Sequence, residues 1–215
     1  MARTSTFPKP TDKRSMMQNS RHALPAEGQW DLLTEHDLES WFSCLWVSTE
    51  DGNEIARRLG VDPQNGTLCD FQTAMQSYET SLEELIVWVG EHSAGWSTIL
   101  TISGGTVPPR LIEALSADGQ RVLEAYYVEE ADPGKLLYTY DREYRGEIFP
   151  PSSPGGWMEV PEFEAHASGL ELSDEISDAE TFDRYMCMAG RITGRFIDRA
   201  WFASTRTLYH VPHEA

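Results

Sequence analysis

Cysteine is scarce in this chain of 215 residues: there are three, Cys44, Cys69 and Cys187. They stand far apart with no C-x-x-C pair, which argues against a disulfide framework and against a structural zinc site. That usage suits a reducing compartment, so a cytoplasmic protein is expected. Long apolar runs are missing too. No segment could span a bilayer and none reads as a signal-peptide core, so no membrane association is expected.

Positive charge is the next shortage. The chain carries 17 Lys and Arg against 35 Asp and Glu, a formal net charge of −18. Five of the basic residues (Arg3, Lys9, Lys13, Arg14, Arg21) and two acids (Asp12, Glu27) lie within residues 1–30, which leaves 12 basic and 33 acidic residues for the body. From Gly146 through Asp183 there is no Lys or Arg, and ten acids appear, among them Glu147, Glu159, Glu162, Glu164, Glu180 and Asp183. A surface that acidic repels phosphates, which excludes direct nucleic-acid binding by the folded part. It attracts basic protein surfaces, although a solvated acidic face is the commoner reason for such composition.

Motifs that carry chemistry are also lacking. Gly104-Gly105 has neither the lysine nor the spacing of a phosphate loop. His210-Val211-Pro212-His213 has no third metal ligand nearby and reads as a frayed tail. Glu91-His92-Ser93-Ala94-Gly95 brings a carboxylate, an imidazole and a hydroxyl together. It half-resembles a nucleophile elbow, but Glu91 stands where glycine is required, and strands flank it where a strand and then a helix are required. An ordinary polar turn is the simpler reading. No cofactor and no metal are expected, no catalytic residue is assigned, and enzymatic activity is left open.

What is present is a β-rich middle. Leu85–Val89 and Trp96–Ile102 are β-prone runs joined by a short polar link, as in a hairpin. Thr106-Val107-Pro108-Pro109 opens a helix with Leu111, Ile112 and Leu115 on one face, ending near Gly119. Val122–Glu129 is apolar or aromatic on both faces, as in a strand covered from both sides. Ala131-Asp132-Pro133-Gly134 is a turn. Lys135–Asp141 and Arg145–Phe149 complete a meander whose links are too short for parallel neighbours.

Outside the middle, residues 1–29 read as a disordered basic N-terminal tail. Thr34 to Asp37 resembles a capping box for a short helix, Ser43–Ser48 is read as a strand, and Thr49 caps a helix through Ile55, Ala56 and Leu59. Asp70–Tyr78 is a further short helix. Phe182, Tyr185, Met186, Ala189 and Ile192 mark one face of a long helix ended by Gly194, and Asp198 caps a last turn with Trp201 and Phe202. Gly190 and Gly194 spell G-x-x-x-G; with Arg191 between them, close packing against a neighbour is expected and not a membrane contact.

Gly95-Trp96 leading into a strand, the proline-containing helix ending Leu115-Ser116-Ala117-Asp118-Gly119, Tyr138-Thr139-Tyr140-Asp141, and Phe149-Pro150 together resemble an actinobacterial domain-of-unknown-function family of small acidic α+β proteins. Ile55-Ala56-Arg57-Arg58-Leu59-Gly60, Arg191-Ile192-Thr193-Gly194 and Ala200-Trp201 are similar to its flanking motifs. The resemblance covers about residues 37–203. It implies an α+β fold and no known activity, and the basic N-terminal tail departs from it.

The expected fold is α+β: one domain over residues 30–205, an antiparallel meander sheet of five or six strands with packed helices, and a C-terminal tail over 206–215. The expected function is a non-enzymatic interaction protein, immunity-, antitoxin- or regulator-like, whose acidic surface binds a basic protein partner. The alternative is an enzyme or small-molecule binder with a pocket lined by sheet aromatics. Candidate binding residues are Trp88, Glu91, His92, Trp96, Tyr126 and Tyr138.

Overall fold

The computed structural model describes residues 22–78, 84–103, 105–129, 132–152, 157–170, 172–173 and 175–212. In chain order its elements are α1 (Gln29–Glu35), β1 (Trp41–Val47), α2 (Gly52–Arg58), β2 (Thr67–Cys69), α3 (Phe71–Met75), β3 (Glu84–Ser93), β4 (Trp96–Ser103), α4 (Pro109–Leu115), β5 (Arg121–Val128), β6 (Asp132–Tyr140), β7 (Glu143–Glu147), α5 (Asp178–Thr193), α6 (Arg199–Phe202) and β8 (Arg206–Pro212). Short 3-10 turns lie at Pro63–Asn65 and Pro161–His166.

All eight strands form one sheet in the order β2-β8-β3-β4-β1-β5-β6-β7, and each neighbouring pair is antiparallel. The α+β class and the antiparallel sheet are as expected; the described residues hold eight strands where five or six were expected. The expected tail accounts for much of the difference. Residues 206–212 form β8, which lies inside the sheet between β2 and β3. Its partner β3 begins more than a hundred residues earlier in the chain, so nothing local in the sequence announces the pairing. The other added strand, β2, is three residues long and too short to show a period.

Several boundaries also move. Thr34 does not open a helix: it sits in the last turn of α1 and its hydroxyl donates to the Trp30 carbonyl at 3.1 Å. Asp51, two residues after Thr49, caps α2 by accepting from the Asn53 and Glu54 amides. The cap of α4 is Pro108, with no side-chain bond from Thr106. The link Glu91–Ser93 is strand, and the β3–β4 turn is reduced to Ala94-Gly95, with Gly95 at a φ of +82°. Of the expected tail over 1–29, residues 1–21 lie outside the described residues. Residues 22–29 run against α5, where the Ala23 carbonyl accepts from Arg191 Nε at 2.8 Å. Gln29 bridges to the backbone of Ile197 through both ends of its amide.

The sheet is covered on both faces. One face packs Phe42, Trp46, Trp88, Leu100, Leu123 and Tyr138 against α1, α3, α5, α6 and the 157–170 segment. The other packs Leu45, Val87, Ile99 and Val122 against α2 and α4, through Ile55, Leu59, Leu111 and Leu115. The alternation of strand side chains divides β1, β3, β4, β5 and β8 between these two cores. Helix α5 is fixed at its start by a reciprocal Ser177–Glu180 capping box and ends at Gly194, whose φ of +81° is the left-handed closure that glycine permits.

Candidate functional site

Helix α5 and the 157–170 segment carry two adjoining surface features. The first is an aromatic, acidic edge. Trp157 is 74% exposed, the most exposed large hydrophobic side chain among the described residues, and Tyr144 on the edge strand β7 is 60% exposed. The Trp157 ring lies 5.7 Å from that of Phe149. Glu159 turns back onto β7, where its Oε2 accepts the Glu147 amide at 2.7 Å. Burial raises the titration of the Tyr144 phenol, and the charges of Glu159 and Glu147 raise it further while Lys135 opposes them. Glu147 in turn accepts from the Tyr185 hydroxyl of α5 at 3.4 Å. One turn towards the start of that helix, Glu180, Asp183 and Arg184 join Trp30 and Asp31 around a groove of about 360 Å³. An acidic band therefore runs from the start of α5 to the β7 edge, with Trp30 at one end and Trp157 at the other.

The second feature is a cleft of about 540 Å³ between the β3–β4 turn, the start of β5, the 161–166 turn and the end of α5. Ser93, Trp96, Arg121, Glu162, His166 and Arg191 are among its lining residues. The Arg121 guanidinium stands over the Trp96 ring, 5.7 Å from its centre. Arg191, almost fully buried, donates from Nη1 to the carbonyls of His166 (2.7 Å) and Ser168 (2.8 Å) as well as from Nε to Ala23. It thereby ties the 157–170 segment and the chain near residue 23 to α5. Across the cleft, Glu162 bonds the Tyr138 hydroxyl, which burial and that carboxylate hold well above the ordinary phenol range.

The six candidate residues separate. Trp96 lines the cleft, and Tyr138 supports it from below through Glu162 and an edge-on contact with Phe163 at 4.9 Å. His92 lies next to the cleft but is only 2% exposed, within the core. Its Nε2 meets the Trp46 indole nitrogen at 3.2 Å, the Thr193 hydroxyl at 3.1 Å and the Arg195 carbonyl at 2.9 Å. The Trp46 indole N–H can only donate to Nε2 and the Arg195 carbonyl can only accept from it, so a neutral ring satisfies one of these two contacts at a time. Burial pushes its titration down to about 3, so the ring is neutral and serves as a strut between β3 and the end of α5. The other elements of the tempting Glu-His-Ser sequence diverge. Ser93 Oγ donates to the Thr193 carbonyl at 2.6 Å, while Glu91 is exposed. The strand is irregular between Glu91 and Ser93, so His92 and Ser93 both turn to Thr193 at the end of α5, and among the described residues no hydrogen bond joins the Glu91 carboxylate to either.

Trp88 is fully buried and belongs to the core, edge-on to Trp201 at 5.6 Å and beneath the Arg206 guanidinium at 4.9 Å. Tyr126 lies on the other face of the sheet with Lys135, 6.0 Å from its ring centre. Arg121, Glu162, His166, Arg191 and Trp157 were not singled out. The first four come together only because β5, the 157–170 segment and α5 meet in space. Trp157 alone carried a local signal, a tryptophan flanked by Pro/Gly-rich and acidic sequence.

Among the described residues no three His, Cys, Asp or Glu side chains converge as a metal site, and no helix is long and apolar enough to cross a membrane. No family model matches this chain, and neither a curated protein nor a solved structure matches it.

Proposed function

We propose that this protein is a non-enzymatic interaction protein whose acidic band engages a protein partner with a basic surface. Trp157 carries this reading. A tryptophan 74% exposed, next to Phe149 just past the end of β7, has a large apolar surface left over after folding, and tryptophan is among the residue types enriched at interface anchors. The Trp30–Asp31–Glu180–Asp183 groove adds a second aromatic wall with carboxylates suited to an arginine or lysine side chain. The backbone edge itself is not the docking element. Glu159 occupies the Glu147 amide, the kind of side-chain cover that blocks strand addition. Immunity, antitoxin-like and regulatory proteins work through surfaces of this kind, and the reading extends to those roles by analogy alone.

The test is capture from the native host with the full chain as bait. A basic protein should co-purify at low salt, be released at a few times the physiological ionic strength, and be lost with W157A. Recovery of nothing at low salt, or a partner held equally by W157A and by an E147Q/E159Q double variant, would overturn the proposal.

A further inference from the structure

The cleft beside the acidic band has the opposite electrical character. The groove at the start of α5 is lined by three acids and one arginine, whereas the cleft is lined by Arg121 and Arg191 against the single carboxylate of Glu162. Among the described residues neither arginine makes an ion pair. The two differ in what they offer. Arg191 is almost fully buried and its Nε and Nη1 are spent on three carbonyls, so it contributes charge but little free hydrogen-bonding capacity. Arg121 is exposed, and its described side-chain contact is with the face of Trp96, which steers the guanidinium without using its donors. A planar guanidinium held this way is preorganised for the two oxygens of a carboxylate.

We propose that this cleft binds a small monoanionic ligand through its carboxylate, with Arg121 as the pairing cation. The charge present sets the valence. With two cations and one acid lining the space, a single negative charge is neutralised, while a dianion such as a phosphate monoester would face Glu162 uncompensated. The volume, about 540 Å³, lies within the range of ordinary small-molecule pockets. Ser93 and His166 supply polar atoms on the rim, and Ile192 and Phe163 supply apolar wall. A carboxylate of this kind belongs either to a free small acid or to the C-terminus of a peptide.

The experiment titrates the isotopically labelled full chain and follows the amides of Ser93, Ala94 and Gly194 and the Trp96 indole resonance. The probes are benzoate, benzamide, phenyl phosphate, and acetyl-Ala-Ala-Phe with a free or an amidated C-terminus. Benzoate or the free-acid peptide should produce saturable shifts confined to the cleft, and benzamide and the amidated peptide should not. Tighter binding of the peptide acid identifies a chain terminus as the source, and tighter binding of benzoate identifies a small acid. R121Q should weaken binding about tenfold or more, R145Q on β7 should leave it unchanged, and E162Q should tighten it, because that variant removes the opposing charge while keeping an acceptor for Tyr138. No saturable shift below about 20 mM, an equal response to benzamide, stronger binding of phenyl phosphate, or equal affinity in R121Q would overturn the proposal. Since E162Q gains affinity, a folding defect in R121Q would not leave the question undecided.

Discussion

The Arg206 guanidinium lies 4.1 Å from the centre of the Trp201 ring and 4.9 Å from that of Trp88, in the corner between two nearly perpendicular rings. This cation is 3% exposed and sits over Gly90, where a Cβ would come within 2.5 Å of its side chain. Its Nη1 bonds the Thr98 hydroxyl and its Nε the Ser204 hydroxyl, while Nη2 has no partner among the described residues. Among the described residues no carboxylate forms an ion pair with it, although 35 acids are in the chain. Burial pushes its titration down to about 10, still high enough to keep it charged at neutral pH.

A buried cation held by π-faces and hydroxyls makes a specific ordering of variants. R206M keeps most of the volume and removes the desolvated charge, so its stability should fall within about 1–2 kcal/mol of wild type, on either side. T98V leaves the guanidinium in place without its Nη1 acceptor and should cost more, about 2–3 kcal/mol. Urea unfolding of the two proteins checks the order, and a T98V protein more stable than R206M would contradict it.

Two buried groups pull stability in opposite directions with pH. His92 titrates near 3 in the fold against an ordinary 6.5, so between those values the unfolded chain binds the extra proton and stability falls as pH falls. Glu124, 8% exposed, is pushed by burial up to about 7 from an ordinary 4.5, so between those values the folded chain binds the extra proton and stability falls as pH rises. Between pH 4.5 and 6.5 the two slopes oppose each other. E124Q should therefore be more stable than wild type at pH 8 by about 3 kcal/mol, and should lose about 2 kcal/mol relative to wild type on going from pH 6.5 to 4.5. Denaturant midpoints measured across that range test this, and parallel pH profiles for the two proteins would refute it.

Gly190 in α5 packs against Phe196, and a Cβ at Gly190 would overlap the ring. At an exposed helical site, Gly to Ala gains about 1 kcal/mol from propensity alone. Here the overlap should reverse the sign, and G190A should destabilise by about 1–3 kcal/mol. F196A removes the ring, so G190A added to F196A should recover the propensity gain. A double-mutant cycle reads this coupling directly.

Cys44 and Cys187 should be inert in the folded protein. Both are buried, and burial pushes the Cys187 thiol up to about 12 and the Cys44 thiol higher. A thiol reagent at pH 8 should modify them at the rate of unfolding and immediately in denaturant. Rapid labelling of either in native buffer would show that α5 or β1 opens far more easily than this packing implies.

The local rules that worked were those with a short physical range. The αL glycine at the end of α5, the Asp198 cap on the Trp201 amide at 2.6 Å and the β3–β4 hairpin each depend on residues within a few positions of one another. The candidate site did not behave that way. His92 and Trp88 looked like site residues because aromatic and titratable side chains mark both sites and cores, and burial alone decides between them. Arg121 looked ordinary because nothing beside it in sequence indicates that Trp96 lies underneath.

The composition by itself determined the acidic body, the absence of a disulfide framework, and the alternating apolar strands and amphipathic α5 that demand an α+β packing. The tertiary structure decided the strand order, the recruitment of residues 206–212 into the sheet, and the meeting of Arg121, Glu162 and Arg191 around one cleft. The reason is distance along the chain. Period and capping act over a few residues, whereas sheet neighbours and clefts are made by segments a hundred residues apart, whose pairing is fixed by how two cores fill on either side of one sheet.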